Sequence, residues 1–154
     1  MIDRGNWKAR WQIDKYANDG RFLGVSIIEQ NLLLNEGINA IWALVTGGSE
    51  TPFNNANARI GVGDSSAAEG ATQTDLQAAV NKTYKGMDAT YPQIGSQKVS
   101  FRSTFGSSEA NHSWNEFTVD NGGAALKNLN RKVSSQGTKV NGQSWTVTLE
   151  ITLS

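Results

Sequence analysis

The run SWTVTLEITL, residues 144–153, constrains the chain more tightly than any other segment: Trp145, Val147, Leu149, Ile151 and Leu153 alternate without a break with Ser144, Thr146, Thr148, Glu150 and Thr152. Successive side chains of a strand point to opposite faces, so this pattern predicts a long strand with one buried face, lying inside a sheet. The same period-two pattern recurs near the N-terminus, where Trp7, Ala9, Trp11 and Ile13 alternate with Lys8, Arg10, Gln12 and Asp14. Asn18, Asp19 and Gly20 then supply a turn that tolerates positive φ, and Phe22 to Gln30 completes a hairpin. Two strands alone are marginal in water, so a ribbon carrying two tryptophans on one face must pack on the main domain or on another chain. We read residues 1–30 as a hairpin arm and residues 31–154 as the domain proper.

Further strands are predicted at Arg59 to Gly63, Thr83 to Thr90, Val99 to Phe105 and Ser113 to Val119, the last closed by the turn Asp120-Asn121-Gly122-Gly123. One helix stands out, NLLLNEGINAIWALVTGG over residues 31–48. Leu34, Ile38, Ile41, Trp42 and Val45 fall on one helical face, Asn31 or Asn35 is placed to cap its start, and Gly47-Gly48 ends it. Trp42, Trp114 and Trp145 are assigned to the core on this phasing. The fold class expected is mainly β: an antiparallel β-sandwich, jelly-roll-like, with one amphipathic helix and the N-terminal hairpin arm.

Composition narrows the function. The chain has 154 residues, enough for one substantial core, with 14 basic and 14 acidic side chains interleaved along it and a formal net charge of zero. That balance argues against a chain drawn to nucleic acid or to an anionic membrane. No apolar run approaches the ~20 residues of a membrane span. There is no cysteine, which excludes disulfides, thiolate metal sites and a cysteine nucleophile. Met1 is followed by Ile2, Asp3 and Arg4 rather than by a basic and then apolar leader, which reads as a protein made and kept, or assembled, in a reducing compartment.

Candidate chemistry is weighed motif by motif. IGVGDSS, beginning at Ile60, suggests a phosphate-cradling loop, but it lacks the Lys-Ser/Thr pair and the long helix such a loop feeds. Gly61 and Gly63 read instead as strand positions approached closely by another backbone. Asp64, Glu69 and Asp75 match no calcium-loop spacing. His112 is the only histidine, so no histidine metal cluster can form, and Ser108 and Ser113 lack the context of an activated nucleophile. Nothing places Glu109 and Glu116 face to face as a carboxylate pair. The expectation is no enzyme, with no catalytic, cofactor-binding or metal-ligating residue. Trp7, Trp11, Tyr16 and Phe22, on the arm, are the candidate interface residues.

The order of features carries a resemblance. The helix NLLLNEGINAIWALVTGG, followed by IGVGDS…TDLQ, KGMDATYP, FGSSEANHSWNEF and LNRKV, is similar to a family of small virion structural proteins of tailed bacteriophages, over about residues 31–153. The resemblance implies a virion location after assembly in the host bacterial cytoplasm. It implies a capsid decoration or cement protein that is a homo-oligomer, with a trimer plausible, contacting the major capsid protein or another virion protein. A tail, baseplate or fibre-associated role fits the same resemblance. A carbohydrate-binding module, using polar loops and a tryptophan, is the reading from a different class.

Overall fold

The computed structural model describes residues 5–154, so the leader reading of residues 1–4 and the first four residues of the expected arm lie outside it. Strands β1 (Trp7–Tyr16), β2 (Phe22–Glu29) and β3 (Leu32–Leu33) precede helix α1 (Asn35–Val45). Strands β4 (Arg59–Gly63), β5 (Lys82–Gly86), β6 (Gln93–Gly95), β7 (Lys98–Phe105), β8 (Glu116–Asp120), β9 (Asn130–Val133) and β10 (Ser144–Leu153) follow. They form two five-stranded antiparallel sheets, of order β2-β1-β10-β7-β6 and β3-β9-β8-β4-β5, packed as a sandwich.

Strand β10 is the centre of the first sheet. It pairs with β1 from Trp7↔Leu153 to Tyr16↔Ser144 and with β7 from Trp145↔Phe105 to Thr152↔Lys98. Alternation then turns Trp145, Val147, Leu149 and Ile151 inward beside Ala9, Trp11 and Ile13 of β1 and Phe101 and Phe105 of β7. The second sheet answers with Ile60 and Val62 of β4 and Phe117 and Val119 of β8. Aromatic rings join the layers. Trp114 meets Phe105, Phe117 and Trp145 edge-on at 5.0, 6.2 and 4.8 Å between ring centroids, and Trp11 lies 5.6 Å from Phe117.

The hairpin is therefore not an arm standing off a separate sandwich. Its first strand is hydrogen-bonded on both sides, by β2 and by β10, and Trp11 and Ile13 are fully buried in the common core. The apolar face that reads as needing a partner finds it in the opposite sheet of the same chain.

The helix also differs from its reading. Leu32 and Leu33 pair with Arg131 and Asn130 as β3, so the helix starts four residues later than Asn31. The extended residue Leu34 takes the cap position without a side-chain bond, and Asn31 instead accepts the Trp7 indole N–H at 3.1 Å. The buried helical residues are Gly37 and Ala40, whereas Trp42 is 62% exposed and Val45 is exposed too, so Trp42 is not a core residue. At 3.6 residues per turn the buried stripe lies roughly a quarter-turn or more from the one traced by the large side chains. The reason is close approach: a Cβ on Gly37 would stand 2.2 Å from the Leu129 carbonyl oxygen, so the helix backbone lies directly on the segment leading into β9.

Gly37→Ala tests this contact. In an exposed helix the change would gain about 1 kcal/mol, but here the clash is with backbone that cannot swing aside. The expected net effect is a loss of about 1–3 kcal/mol, read as a lower denaturant midpoint. Unchanged or increased stability would show that the helix does not sit on Leu129.

Candidate interaction surface and the charged network beneath the 64–81 segment

Alternation along β8 sends Phe117 and Val119 into the sandwich and Glu116, Thr118 and Asp120 to the outer face of the second sheet. Cross-strand register sets Arg59 opposite Asp120, Gly61 opposite Thr118 and Gly63 opposite Glu116. On the other side of β4, Gly61 lies opposite Tyr84 and Gly63 opposite Lys82. This outer face is not in water. Residues 64–81 fold over it, which is why all of β8 is buried.

What holds that segment down is an ion pair. Arg131 and Glu116 are both fully buried, with Nη2 to Oε2 at 2.7 Å and Nε donating to Oε2 at 2.9 Å. The guanidinium also donates to the carbonyls of Ala67 (2.9 Å) and Ala68 (3.1 Å) and to Gln73 Oε1 (3.0 Å). The Glu116 carboxylate accepts the backbone N–H groups of Gln77 (2.9 Å) and Ala78 (2.7 Å). Burial of two charges is tolerated when their remaining donors and acceptors are filled, and here loop backbone fills them. Asn128 Nδ2 adds a bond to the Thr74 carbonyl, and Glu69 accepts the Val133 N–H.

The two glycines of the GVGDSS stretch belong to this arrangement. A Cβ on Gly63 would lie 2.5 Å from Glu116 Oε1, and one on Gly61 would lie 2.5 Å from the Tyr84 ring. They are approached closely, as the strand reading expects, but by the carboxylate and the ring rather than by another backbone.

Nearer the edge, Asp75 accepts from the Tyr84 hydroxyl, from Lys82 Nζ at 2.6 Å and from the Leu76 N–H at 2.7 Å. Partial burial disfavours its carboxylate, yet the bonds from Lys82, Tyr84 and Leu76 outweigh that and hold Asp75 below the ordinary carboxyl range. Burial and the adjoining carboxylate push the Tyr84 hydroxyl upward. Arg59 makes a two-pronged pair with Asp120, at 2.9 and 2.7 Å, and stacks over the Tyr84 ring at 4.8 Å.

The other residues weighed for chemistry are spread among separate structural bonds. Asp64 receives Asn81 Nδ2, and Glu69 faces the β9 backbone, so neither converges with Asp75 on a common point. Among the described residues no group of three or more His, Asp or Glu side chains is placed to hold a metal ion. His112 Nδ1 lies 2.9 Å from the Ser113 carbonyl, which can only accept, so Nδ1 carries a proton; Nε2 meets the Thr83 hydroxyl at 3.2 Å. Glu109 binds Lys85 and the Gly106 N–H, and these bonds lower its pKa, while Glu116 is committed to Arg131. Lys139, fully buried, donates to the carbonyls of Gly106 and Glu109 and to Asn111 Oδ1, at 2.7, 2.9 and 2.9 Å. It organises the Gly106–Asn111 turn. The charged residues Arg131, Glu116 and Lys139 carry no sequence signal that separates them from solvated charges.

The four candidate interface residues do not form one patch. Trp11 is removed from the set by its burial in the core. Trp7 is half-buried at the far end of β1, about 30 Å along the strand from Tyr16. Tyr16 and Phe22 do meet, with ring centroids 5.5 Å apart, and Phe22 is exposed. Phe22 begins an apolar strip that the sequence reading overlooked, continuing through Leu23, Val25 and Ile27 on the free edge of the first sheet. Other exposed apolar side chains are Ile94 on the opposite edge and Trp42 and Val45 on the helix. Comparison with protein-family models, with curated proteins and with solved structures finds no match.

Two measurements probe the network. Arg131→Met leaves the Glu116 charge buried without its partner and is expected to cost about 3–5 kcal/mol, with residues 64–78 becoming the first site of limited proteolysis; a variant as stable and as resistant as the parent would refute the pair's role. Asp75 gives a pH signature. Its folded pKa lies below its unfolded one, so its bonds add stability above about pH 4 that is lost as pH falls through the folded value. Asp75→Asn should therefore be less stable than the parent at neutral pH, the gap narrowing in acid when urea midpoints are compared; a gap independent of pH would contradict the assignment.

Proposed function

We propose that the chain is a non-enzymatic structural subunit of a bacteriophage virion, acting as a capsid decoration or cement protein. The observation that carries this reading is the division of its surface chemistry. The most deeply buried charged groups are spent inside the fold, Arg131, Glu116 and Lys139 on seating its own loops and Asp120 on Arg59 of the neighbouring strand, while large apolar side chains are left outside on a sheet edge and on the helix. A molecule built this way acts by adhesion through shape and apolar contact. The resemblance of residues 31–153 to small phage virion proteins supplies the setting, and zero net charge suits a surface crowded with copies. Its mechanism would be additive burial: contacts weak in isolation are multiplied by symmetry and copy number until the shell resists rupture.

Antibody labelling of purified particles tests the location. Label over the shell, with particles lacking the protein rupturing at lower temperature, is the expected result. Label confined to the tail would overturn decoration in favour of the tail-associated role. One observation favours a glycan-binding reading: of the five tryptophans, Trp42 is the exposed one, and a solvent-facing indole is a stacking platform for sugars. Glycan-array binding that Trp42→Ala abolishes would support it, and absence of binding by the parent chain would remove it.

A further inference from the structure

Asparagine followed by glycine occurs twice in the chain, at Asn121-Gly122 and at Asn141-Gly142. In this dipeptide a backbone amide turns most readily on the carboxamide before it, because glycine carries no Cβ to obstruct the approach. The fold treats the two pairs in opposite ways.

Asn121 follows β8 directly and is fully buried. Its Nδ2 donates to Glu50 Oε1 at 2.9 Å and to the Thr51 carbonyl at 3.0 Å, and its Oδ1 accepts the Lys127 N–H at 2.7 Å. Gly122 is backed by the Asn57 carbonyl, whose oxygen lies 2.3 Å from where a Cβ would stand. Asn141 sits instead in the turn that leads into β10. The Gln143 N–H closes that turn on the Val140 carbonyl at 3.1 Å, with Gly142 at φ +95° in its third position, as a type II turn requires. Asn141 is exposed, and its carboxamide has no hydrogen-bond partner among the described residues. The backbone amides do not separate the two sites. Gly122 N–H donates to Asp120 Oδ1 and Gly142 N–H to the Ser107 carbonyl, each at 3.1 Å. The contrast lies in the carboxamides, one held by three bonds in a dry place and the other free in water.

We propose that Asn141 is a site of spontaneous deamidation and that the fold spares Asn121. The Gly142 nitrogen, once released from the Ser107 carbonyl and deprotonated, attacks Cγ of Asn141. The N–Cγ bond forms as Cγ–Nδ2 breaks, and Nδ2 takes up the proton and leaves as ammonia. Water then opens the cyclic imide. Cleavage of N–Cγ gives aspartate, whereas cleavage between that nitrogen and the main-chain carbonyl carbon gives isoaspartate, with the backbone rerouted through Cβ and Cγ. By either route a water is consumed, an ammonia is released, and the formal net charge falls from zero by one unit of negative charge. Isoaspartate also lengthens by a carbon the turn from which β10 starts, beside Gln143, whose Oε1 accepts the Trp145 indole N–H at 3.1 Å. At Asn121, freeing the carboxamide from three hydrogen bonds slows the same reaction by roughly ten- to a thousand-fold. The inference does not rest on the virion reading.

The full-length chain, held for weeks in neutral buffer, digested and mapped by mass spectrometry, reads both sites at once. The peptide carrying residue 141 should show its carboxamide NH2 replaced by OH, with oxygen drawn from isotopically labelled water, and an isoaspartyl methyltransferase should label it. The Asn121 peptide should lag at least about ten-fold behind. In guanidinium chloride, where the fold and its bonds are gone, the two rates should converge. Asn141→Gln, whose longer side chain must close a larger ring, should abolish the more acidic species on isoelectric focusing and leave thermal unfolding unchanged. An unconverted Asn141, equal conversion of both sites in the folded chain, a rate difference that survives in guanidinium, or aspartate formed without isoaspartate would overturn the proposal.

Discussion

The buried pair between Arg131 and Glu116 is the interaction on which the second sheet depends. An irregular segment laid over a sheet brings peptide groups into a dry place without ladder partners, and each unpaired one is costly. The pair solves that problem in both senses at once. The guanidinium supplies donors to the carbonyls of Ala67 and Ala68, and the carboxylate supplies acceptors to the N–H groups of Gln77 and Ala78. Two charges thus stand in for the missing strand, and the glycine at position 63 is the room they require. Apolar replacements of equal volume could fill the space, but they could not bond the loop.

The same economy appears just before the start of β8, where Lys139 gathers three oxygens of the Gly106–Asn111 turn. In a chain without cysteine these buried charges take the place that cross-links hold in other small loop-rich proteins. One functional consequence is that polar groups a sequence reader might assign to catalysis or metal binding are already satisfied by the fold. The large apolar side chains left exposed include Phe22, Leu23, Val25, Ile27, Trp42 and Val45.

How much of this was legible depended on how local the cause was. Strand β10 and strand β4 match their expected limits because alternation and flanking turns are written within each segment. The sandwich class followed from such segments. Trp11 lay on the expected apolar phase, yet its setting was misjudged, because pairing between residues 7–16 and 144–153 leaves no trace in either stretch alone. The helix was misphased because its contact is made by Gly37 and Ala40, which hydrophobic periodicity overlooks, while Trp42 carries the signal and points to water. The roles of Arg131, Glu116 and Lys139 were not legible, since nothing in sequence distinguishes a charge that will meet backbone from one that will meet solvent. Short strands such as β3, β6 and β9 exist only through their neighbours.

The position of β10 has a consequence for the order of events during synthesis. It lies between β1 and β7, so the earliest described strand and the seventh touch nothing of each other until residues 144–153 are available to join them. While the ribosome is still making the middle of the chain, the tryptophan-bearing face of β1 waits with one long side unpaired. Closure of the first sheet is a late, long-range event, of the kind that is slow and exposes strands to other nascent chains. Cells making many copies at once would meet that hazard while the chains are still nascent.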